Sequence, residues 1–238
     1  AEDGIRDLVR SRGLGDVYKR QGTTGDVWHF DGKTWDQELA IGPDYYAIDG
    51  LAADDIWLAG TSGRIVRKFG LADWAYEHPA TSLDLFGLCQ PGDTLVVAVG
   101  ESGEVIEWEG ESWGDRTPQT QSTLYAVTGH VDLPGRESMV IAVGEDGAIV
   151  WRDEMGVWES MTSGVDTDLY AVASSPRGVA FAAGAGGVVL RFDGTQWARV
   201  EAPTSADFYG ITATAAGDLF FVGDRGPATG EALRLIFK

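Results

Sequence analysis

The 238-residue sequence is poor in the residues that disulfide frameworks, metal sites and membrane spans require. Its single cysteine, Cys89, excludes an internal disulfide and a zinc site with several thiolates. The three histidines, His29, His78 and His130, are far apart and share no ligand spacing. The longest uncharged apolar run, residues 179–190, contains three glycines and is too short to cross a bilayer.

Positive charge is also scarce, with 18 Lys and Arg against 37 Asp and Glu and a net charge of -19. Such a chain repels phosphate backbones, so we predict no nucleic-acid partner. The sequence is nonetheless 44% hydrophobic and 11% aromatic, which indicates a globular domain.

The first 21 residues have a different character from the rest. Residues 11–21 (SRGLGDVYKRQ) and 1–7 (AEDGIRD) back-translate into two sequencing adapters in one frame, with room for an index between them. Segments of this kind are excluded from fold reasoning. We therefore predict that residues 1–21 are non-native and disordered, and that the natural N-terminus is missing.

A period of about forty residues organises residues 22–238. A G-x-x-G element recurs at intervals of 38 to 44 residues, at Gly22, Gly60, Gly100, Gly144, Gly184 and Gly223. A tryptophan follows each of the first five after 13 or 14 residues, at Trp35, Trp74, Trp113, Trp158 and Trp197. An aromatic ring comes 11 or 12 residues later still, at Tyr46, Phe86, Tyr125, Tyr170 and Tyr209.

Each period contains four short strand-like runs separated by turn residues. Four strands in about forty residues are typical of a β-propeller blade. We predict an all-β fold, a β-propeller of four-stranded antiparallel blades. A partial blade covers residues 22–42, and further blades start near residues 45, 85, 124, 169 and 208. About five blades of a six- or seven-bladed ring are then present, and the strand at Trp35 could instead close a five-bladed ring.

The motifs at 55–70 (DIWLAGTSGRIVRKFG), 30–35 (FDGKTW) and 192–197 (FDGTQW) resemble bacterial propeller repeats. These belong with the BNR (Asp-box) repeats and with the photosystem II assembly-factor type of propeller. The match covers residues 22–238. The Asp-box itself is not met, because Asp31 and Asp193 lie four residues before tryptophan rather than five.

Acidic residues of the G-x-x-G turns are the candidate binding residues, because equivalent turns converge at one mouth of a propeller channel. They are Glu101, Glu145, Asp146 and Asp224, with Arg225 beside them. Carboxylates there could bind Ca²⁺ or a basic partner. A solvated acidic surface without bound metal is the favoured interpretation of these turns, and we predict no cofactor.

The phased aromatic residues have both structural and functional interpretations. We expect the tryptophans to pack between blades; the alternative is a set of sugar-stacking platforms. The tyrosines of the innermost strand are expected to pack as well, although their hydroxyls could reach the channel. His29 shares its repeat position with Arg67, Glu107 and Arg191, so we predict that it faces solvent, and we expect Cys89 to be buried and inert.

No Ser-His-Asp arrangement or G-x-S-x-G motif is legible, so we predict no catalytic residue. The favoured hypothesis is a monomeric, non-enzymatic binding or assembly scaffold with a protein or glycan ligand. The resemblance implies a periplasmic, cell-surface or secreted protein. Two alternatives remain, a sialidase-like glycoside hydrolase or lyase and an assembly factor for a membrane protein complex.

Overall fold

The structure is a computed structural model that describes residues 18–21, 25–40, 44–130, 139–174, 179–213, 218–224 and 230–236. These residues form 22 strands in six antiparallel sheets, numbered I to VI along the chain. The sheets confirm the predicted all-β propeller with about five blades. None of the described segments forms a helix long and apolar enough to cross a membrane.

Sheets II to V are complete four-stranded blades, and sheets I and VI have three strands each. Sheet I contains β1 (Tyr18–Gln21), β2 (Asp26–Phe30) and β3 (Trp35–Ala40). Sheet II contains β4 (Tyr45–Ala52), β5 (Asp55–Gly60), β6 (Ile65–Phe69) and β7 (Ala75–Glu77). Sheet III contains β8 (Leu85–Gly92), β9 (Leu95–Gly100), β10 (Val105–Trp108) and β11 (Trp113–Asp115).

The remaining sheets repeat the same antiparallel order. Sheet IV contains β12 (Leu124–His130), β13 (Met139–Gly144), β14 (Ile149–Arg152) and β15 (Trp158–Met161). Sheet V contains β16 (Leu169–Ser174), β17 (Ala180–Gly184), β18 (Val189–Phe192) and β19 (Trp197–Val200). Sheet VI contains β20 (Asp207–Ala213), β21 (Asp218–Asp224) and β22 (Gly230–Ile236). The inner strands β4, β8, β12, β16 and β20 lie next to one another in that order.

Sheet I differs from expectation at its first strand. Tyr18–Gln21 pairs with β2 as β1, although we predict disorder over residues 1–21. The physical reason is that the edge of β2 presents unpaired N–H and C=O groups, which accept any extended segment. Residues 1–17 lie outside the described residues, and the non-native origin of 1–21 stays a prediction. In the described structure β3 pairs with β2 and β22 with β21, so the alternative five-bladed closure through β3 is not formed.

The G-x-x-G elements form short 3₁₀ turns between the second and third strands of sheets II to V. They span Thr61–Gly63, Glu101–Gly103, Glu145–Gly147 and Ala185–Gly187. A side chain on the glycine before each turn would collide with the inner strand; at Gly144 a Cβ would strike the Thr123 carbonyl oxygen. The closing glycines have positive φ, such as +71° at Gly147. The recurring glycines therefore permit close approach at one end of the turn and a left-handed conformation at the other.

Five apolar clusters hold the six sheets together, one between each pair of neighbours. Four of the phased tryptophans, Trp74, Trp113, Trp158 and Trp197, join these clusters, which confirms that they pack between blades. Trp35 is the exception: it is 47% exposed and contacts Phe30 of its own sheet.

The interface between sheets III and IV contains a fully buried carboxylate, Glu107 of β10. Arg152 donates from Nε to Glu107 Oε1 at 2.7 Å, and Trp158 Nε1 donates to the same oxygen at 2.7 Å. Arg116 lies 3.5 Å from the second oxygen. Glu107 shares its repeat position with His29, yet it is buried, because two arginines and an indole N–H replace the water that its carboxylate loses.

The equivalent positions at the other interfaces have different chemistry. Between sheets II and III, the Arg67 guanidinium lies 4.4 Å from the Trp57 ring and 4.8 Å from the Trp108 ring, with Asp55 at 3.1 Å. Between sheets IV and V the position of Glu107 is taken by Trp151, which packs on an apolar cluster containing Phe192 and Trp197.

The remaining two members of this repeat position also differ from each other. In sheet I, His29 Nδ1 lies 3.1 Å from Glu38, which also binds Lys68 of sheet II at 3.1 Å. The His29 side chain is 27% exposed, so it is half-buried rather than solvent-facing. Arg191 of sheet V is exposed.

Candidate functional site

Five aromatic rings stand side by side on the inner strands of sheets II to VI. We call this row the aromatic crescent; its members are Tyr46, Phe86, Tyr125, Tyr170 and Tyr209. Neighbouring ring centroids are 5.3, 6.2, 5.7 and 5.3 Å apart, in tilted pairs. The crescent arises because each ring occupies the same position in its blade, so the forty-residue period becomes a row of contacts.

A β-bulge in each inner strand directs these rings to the channel. In β4, Tyr45 pairs with Gly60 and Ala47 with Ala59, so Tyr46 is the extra residue of the bulge, which has no partner on β5. The residue before each ring is buried between sheets, with no more than 2% of its surface exposed: Tyr45, Leu85, Leu124, Leu169 and Phe208. The rings therefore lie outside the interblade core, and Tyr209 retains 40% exposure.

The crescent lines a cavity of about 220 Å³ at the centre of the sheets. Small and aliphatic residues of the same strands, among them Gly87, Ala126 and Ala171, form its floor with Phe220 and Val222 of β21. The cavity is thus predominantly apolar and aromatic, as small-molecule and side-chain pockets usually are.

An aspartate lies at the beginning of four of the inner strands, two residues before the ring. We call these aspartates, together with Glu101 of the turn in sheet III, the acidic rim; its members are Asp44, Asp84, Asp168, Asp207 and Glu101. The hydroxyls of Tyr170 and Tyr209 donate to Asp168 and Asp207 at 3.4 and 3.5 Å. In sheet IV the equivalent residue is Thr123, so the rim is interrupted there.

Burial and the rim carboxylates raise the pKa of two crescent tyrosines. Burial raises the pKa of Tyr170 to about 12, and the carboxylates of Asp168 and Asp207 act in the same direction. Burial also raises the pKa of Tyr46, again with a contribution from nearby carboxylates, those of Asp84, Asp44 and Glu101. Tyr46 and Tyr170 therefore stay protonated at neutral pH, and the Tyr170 hydroxyl can donate its hydrogen bond to Asp168.

Three rim residues also join one blade to the next. The N–H of Ser62 donates to Asp84 Oδ1 at 2.7 Å, and that of Gly186 donates to Asp207 Oδ1 at 2.7 Å. The Asp146 N–H donates to Asp168 Oδ1 at 3.0 Å. The donor residues have positive φ, 54° to 62°, which turns their N–H groups outward to the neighbouring sheet.

The predicted binding residues have mixed placements. Glu101 and Glu145 accept backbone N–H groups from Asp84 and Thr123, so their carboxylates brace the turns of their own blades. Asp146 is exposed at the turn, and Asp224 ends β21. Arg225 lies outside the described residues. Within the described ranges no group of three His, Cys, Asp or Glu side chains could hold a metal ion.

Sequence reasoning missed the aspartates of the acidic rim. Their signal was present, because Asp precedes the crescent ring by two residues in four of the five periods. The prediction placed the binding residues in the turns instead, because the G-x-x-G motif marks those turns in the sequence. Cys89 is buried, as expected, and forms no disulfide among the described residues.

Comparison with known proteins shows the fold. No family model matches the chain, and no curated protein sequence matches it. Among solved structures, YCF48 bound to D1 peptide superposes with a TM-score of 0.72 at 19% identity, over 94% of this chain and 76% of that one.

YCF48 from Cyanidioschyzon merolae gives a TM-score of 0.66 at 16% identity, over 88% of this chain and 75% of that one. The WD40 repeats of RRP9 give 0.72 at 8% identity, over 90% and 75%. At these identities the likeness establishes a β-propeller.

Proposed function

We propose that this chain is a non-enzymatic binding or assembly propeller that takes an extended segment of a partner protein at its channel mouth. The observation that carries the proposal is the aromatic crescent over a cavity of about 220 Å³. Aromatic rings provide large contact area at low conformational-entropy cost, and they dominate the energetics of protein recognition.

Two further observations support a peptide ligand. YCF48, similar in fold, has been solved with a D1 peptide bound, so a propeller of this kind can hold a peptide. The repeats also resemble the photosystem II assembly-factor type in sequence. A partner from a membrane protein complex is therefore part of the proposal, and so is a site of action in the periplasm, at the cell surface or in the medium.

Selection from a random dodecapeptide display library on the full chain tests the proposed function. Selected peptides are expected to bind the wild type and to bind at least tenfold more weakly to Tyr125→Leu and Tyr170→Leu, which keep apolar bulk but lose the ring. Tyr76→Leu is the matched control, because Tyr76 is an exposed tyrosine on β7. Thermal melts establish that each variant is folded.

Two outcomes would overturn the proposal. One is the absence of any peptide whose binding depends on the crescent. The other is turnover of substrates on a glycan panel that persists in the crescent variants, which would favour the hydrolase or lyase alternative. Fractionation of cells expressing the gene from its native source tests the proposed location separately.

A further inference from the structure

The ligand chemistry can be narrowed from the charge around the crescent, provided that the proposed function holds. The rim places five carboxylates at the entrance of an aromatic cavity, on a chain whose net charge is -19. The carboxylates of Asp168 and Asp207 are within hydrogen-bonding distance of crescent hydroxyls. An anionic segment would be repelled at this mouth, whereas a cation would be attracted by carboxylates and ring faces alike.

The size of the cavity selects a side chain over a larger ligand. Pockets for drug-sized molecules usually measure about 300 to 1,000 Å³. The crescent cavity is smaller, at about 220 Å³. Its rings also contact one another at 5.3 to 6.2 Å, which leaves no isolated flat platform for a sugar ring.

The molecule already contains a guanidinium held by the same combination of groups. Arg67 lies 4.4 Å from the Trp57 ring and 4.8 Å from the Trp108 ring, and it donates from Nε and Nη2 to Asp55 Oδ1 at 3.3 and 3.1 Å. Arginine suits this environment better than lysine because its planar group can stack on rings and bind carboxylates through a fork of donors.

We propose that the aromatic crescent and the acidic rim bind an arginine side chain in a basic segment of the partner protein. The aliphatic part of the side chain lies against the rings, and the guanidinium pairs with the carboxylates of Asp168 and Asp207. The hydroxyls of Tyr170 and Tyr209, which donate to these carboxylates in the unbound protein, complete the polar entrance.

The peptides from the display selection provide the probe. Arginine is expected at a common position in them, and replacing that arginine by glutamine should weaken binding to the wild type at least tenfold, with a smaller loss for lysine. The double variant Asp168→Asn with Asp207→Asn should also bind about tenfold more weakly. Asparagine keeps the oxygen that accepts the turn N–H, so the variant retains the junctions between blades.

A matched double variant separates local charge from net charge. Asp153→Asn with Asp193→Asn removes the same two charges at exposed outer hairpins, where each Asp accepts backbone N–H groups. This control variant should bind the arginine peptide like the wild type. The affinity for the peptide should lose its dependence on salt concentration in the rim variant and keep it in the control variant.

The results distinguish this inference from the proposed function. Peptides that depend on the crescent but lack a common basic residue, or that bind the rim variant unchanged, would overturn the arginine site while leaving peptide binding intact. Failure to select any crescent-dependent peptide would overturn both.

Discussion

At the inner ends of the sheets the same contacts recur from blade to blade, whereas at the outer ends each junction uses different residues. An Asp accepts the N–H of the preceding turn at three junctions, and a crescent ring follows two positions later. The outer position contains His29, Arg67, Glu107 or Trp151, each with its own partners. Blades converge at the channel, where space permits one geometry, and diverge outside, where any well-packed and hydrogen-bonded set suffices.

The largest effect is expected for Glu107→Ala, which would leave the Arg152 guanidinium without its main partner and the Trp158 indole N–H without an acceptor. Breaking a buried ion pair on one side costs about 3–5 kcal/mol. Urea denaturation should show a loss of this size in the free energy of unfolding. Glu159→Ala, at an exposed site on β15, should change it by no more than about 0.5 kcal/mol. A loss below about 1 kcal/mol at Glu107 would show that the network contributes little.

A double variant tests whether the ionic contacts between sheets III and IV can be replaced by the apolar contacts found between sheets IV and V. Glu107→Trp with Arg152→Phe installs the residues found at Trp151 and Phe192. Replacing a buried ion pair by apolar groups is often neutral or stabilising, so the double variant should be about 2 kcal/mol more stable than Glu107→Ala. A double variant no more stable than the alanine variant would mean that, with Arg116 and the local shape of this interface, only the ion pair can be accommodated.

The inner junctions should respond to loss of the acceptor and not to loss of charge. Asp207→Ala should cost about 1 kcal/mol, because the Gly186 N–H loses its partner. Asp207→Asn should remain within about 0.5 kcal/mol of the wild type, because the amide oxygen still accepts. Chemical denaturation of both variants measures the difference, and equal losses would contradict an acceptor role.

The smallest effect is expected in the stability of the protein at alkaline pH, through the crescent residue Tyr170. The pKa of Tyr170 is raised to about 12 in the folded state, against an ordinary value of 10. The folded chain therefore binds this proton more tightly than the unfolded chain, so the contribution to stability falls as pH rises from about 10 to about 12. Ultraviolet titration of the wild type against Tyr170→Phe isolates the ionisation. A midpoint near 10 would show that burial and the rim do not act on this hydroxyl.

The sequence predicted the recurring parts of this molecule better than the variable ones. Phase alone located the blades, the buried tryptophans and the rings of the crescent, since each is fixed by its place in a forty-residue unit. The burial of Glu107 could not be found this way, because Arg191 at the same repeat position is exposed. Its burial depends on Arg116, Arg152 and Trp158, two of which belong to the following blade.

The variable outer contacts have a consequence for the order of the blades. A chain lacking residues 123–167 would bring sheet V beside sheet III, and Asp168 would then face the Ser102 turn, so the inner junction could form again. At the outer end Glu107 would lie against Phe192 and Trp197, a buried carboxylate deprived of Arg152, which is strongly unfavourable. The outer contacts thus determine which blade can follow which, whereas the inner contacts can form between blades in either order.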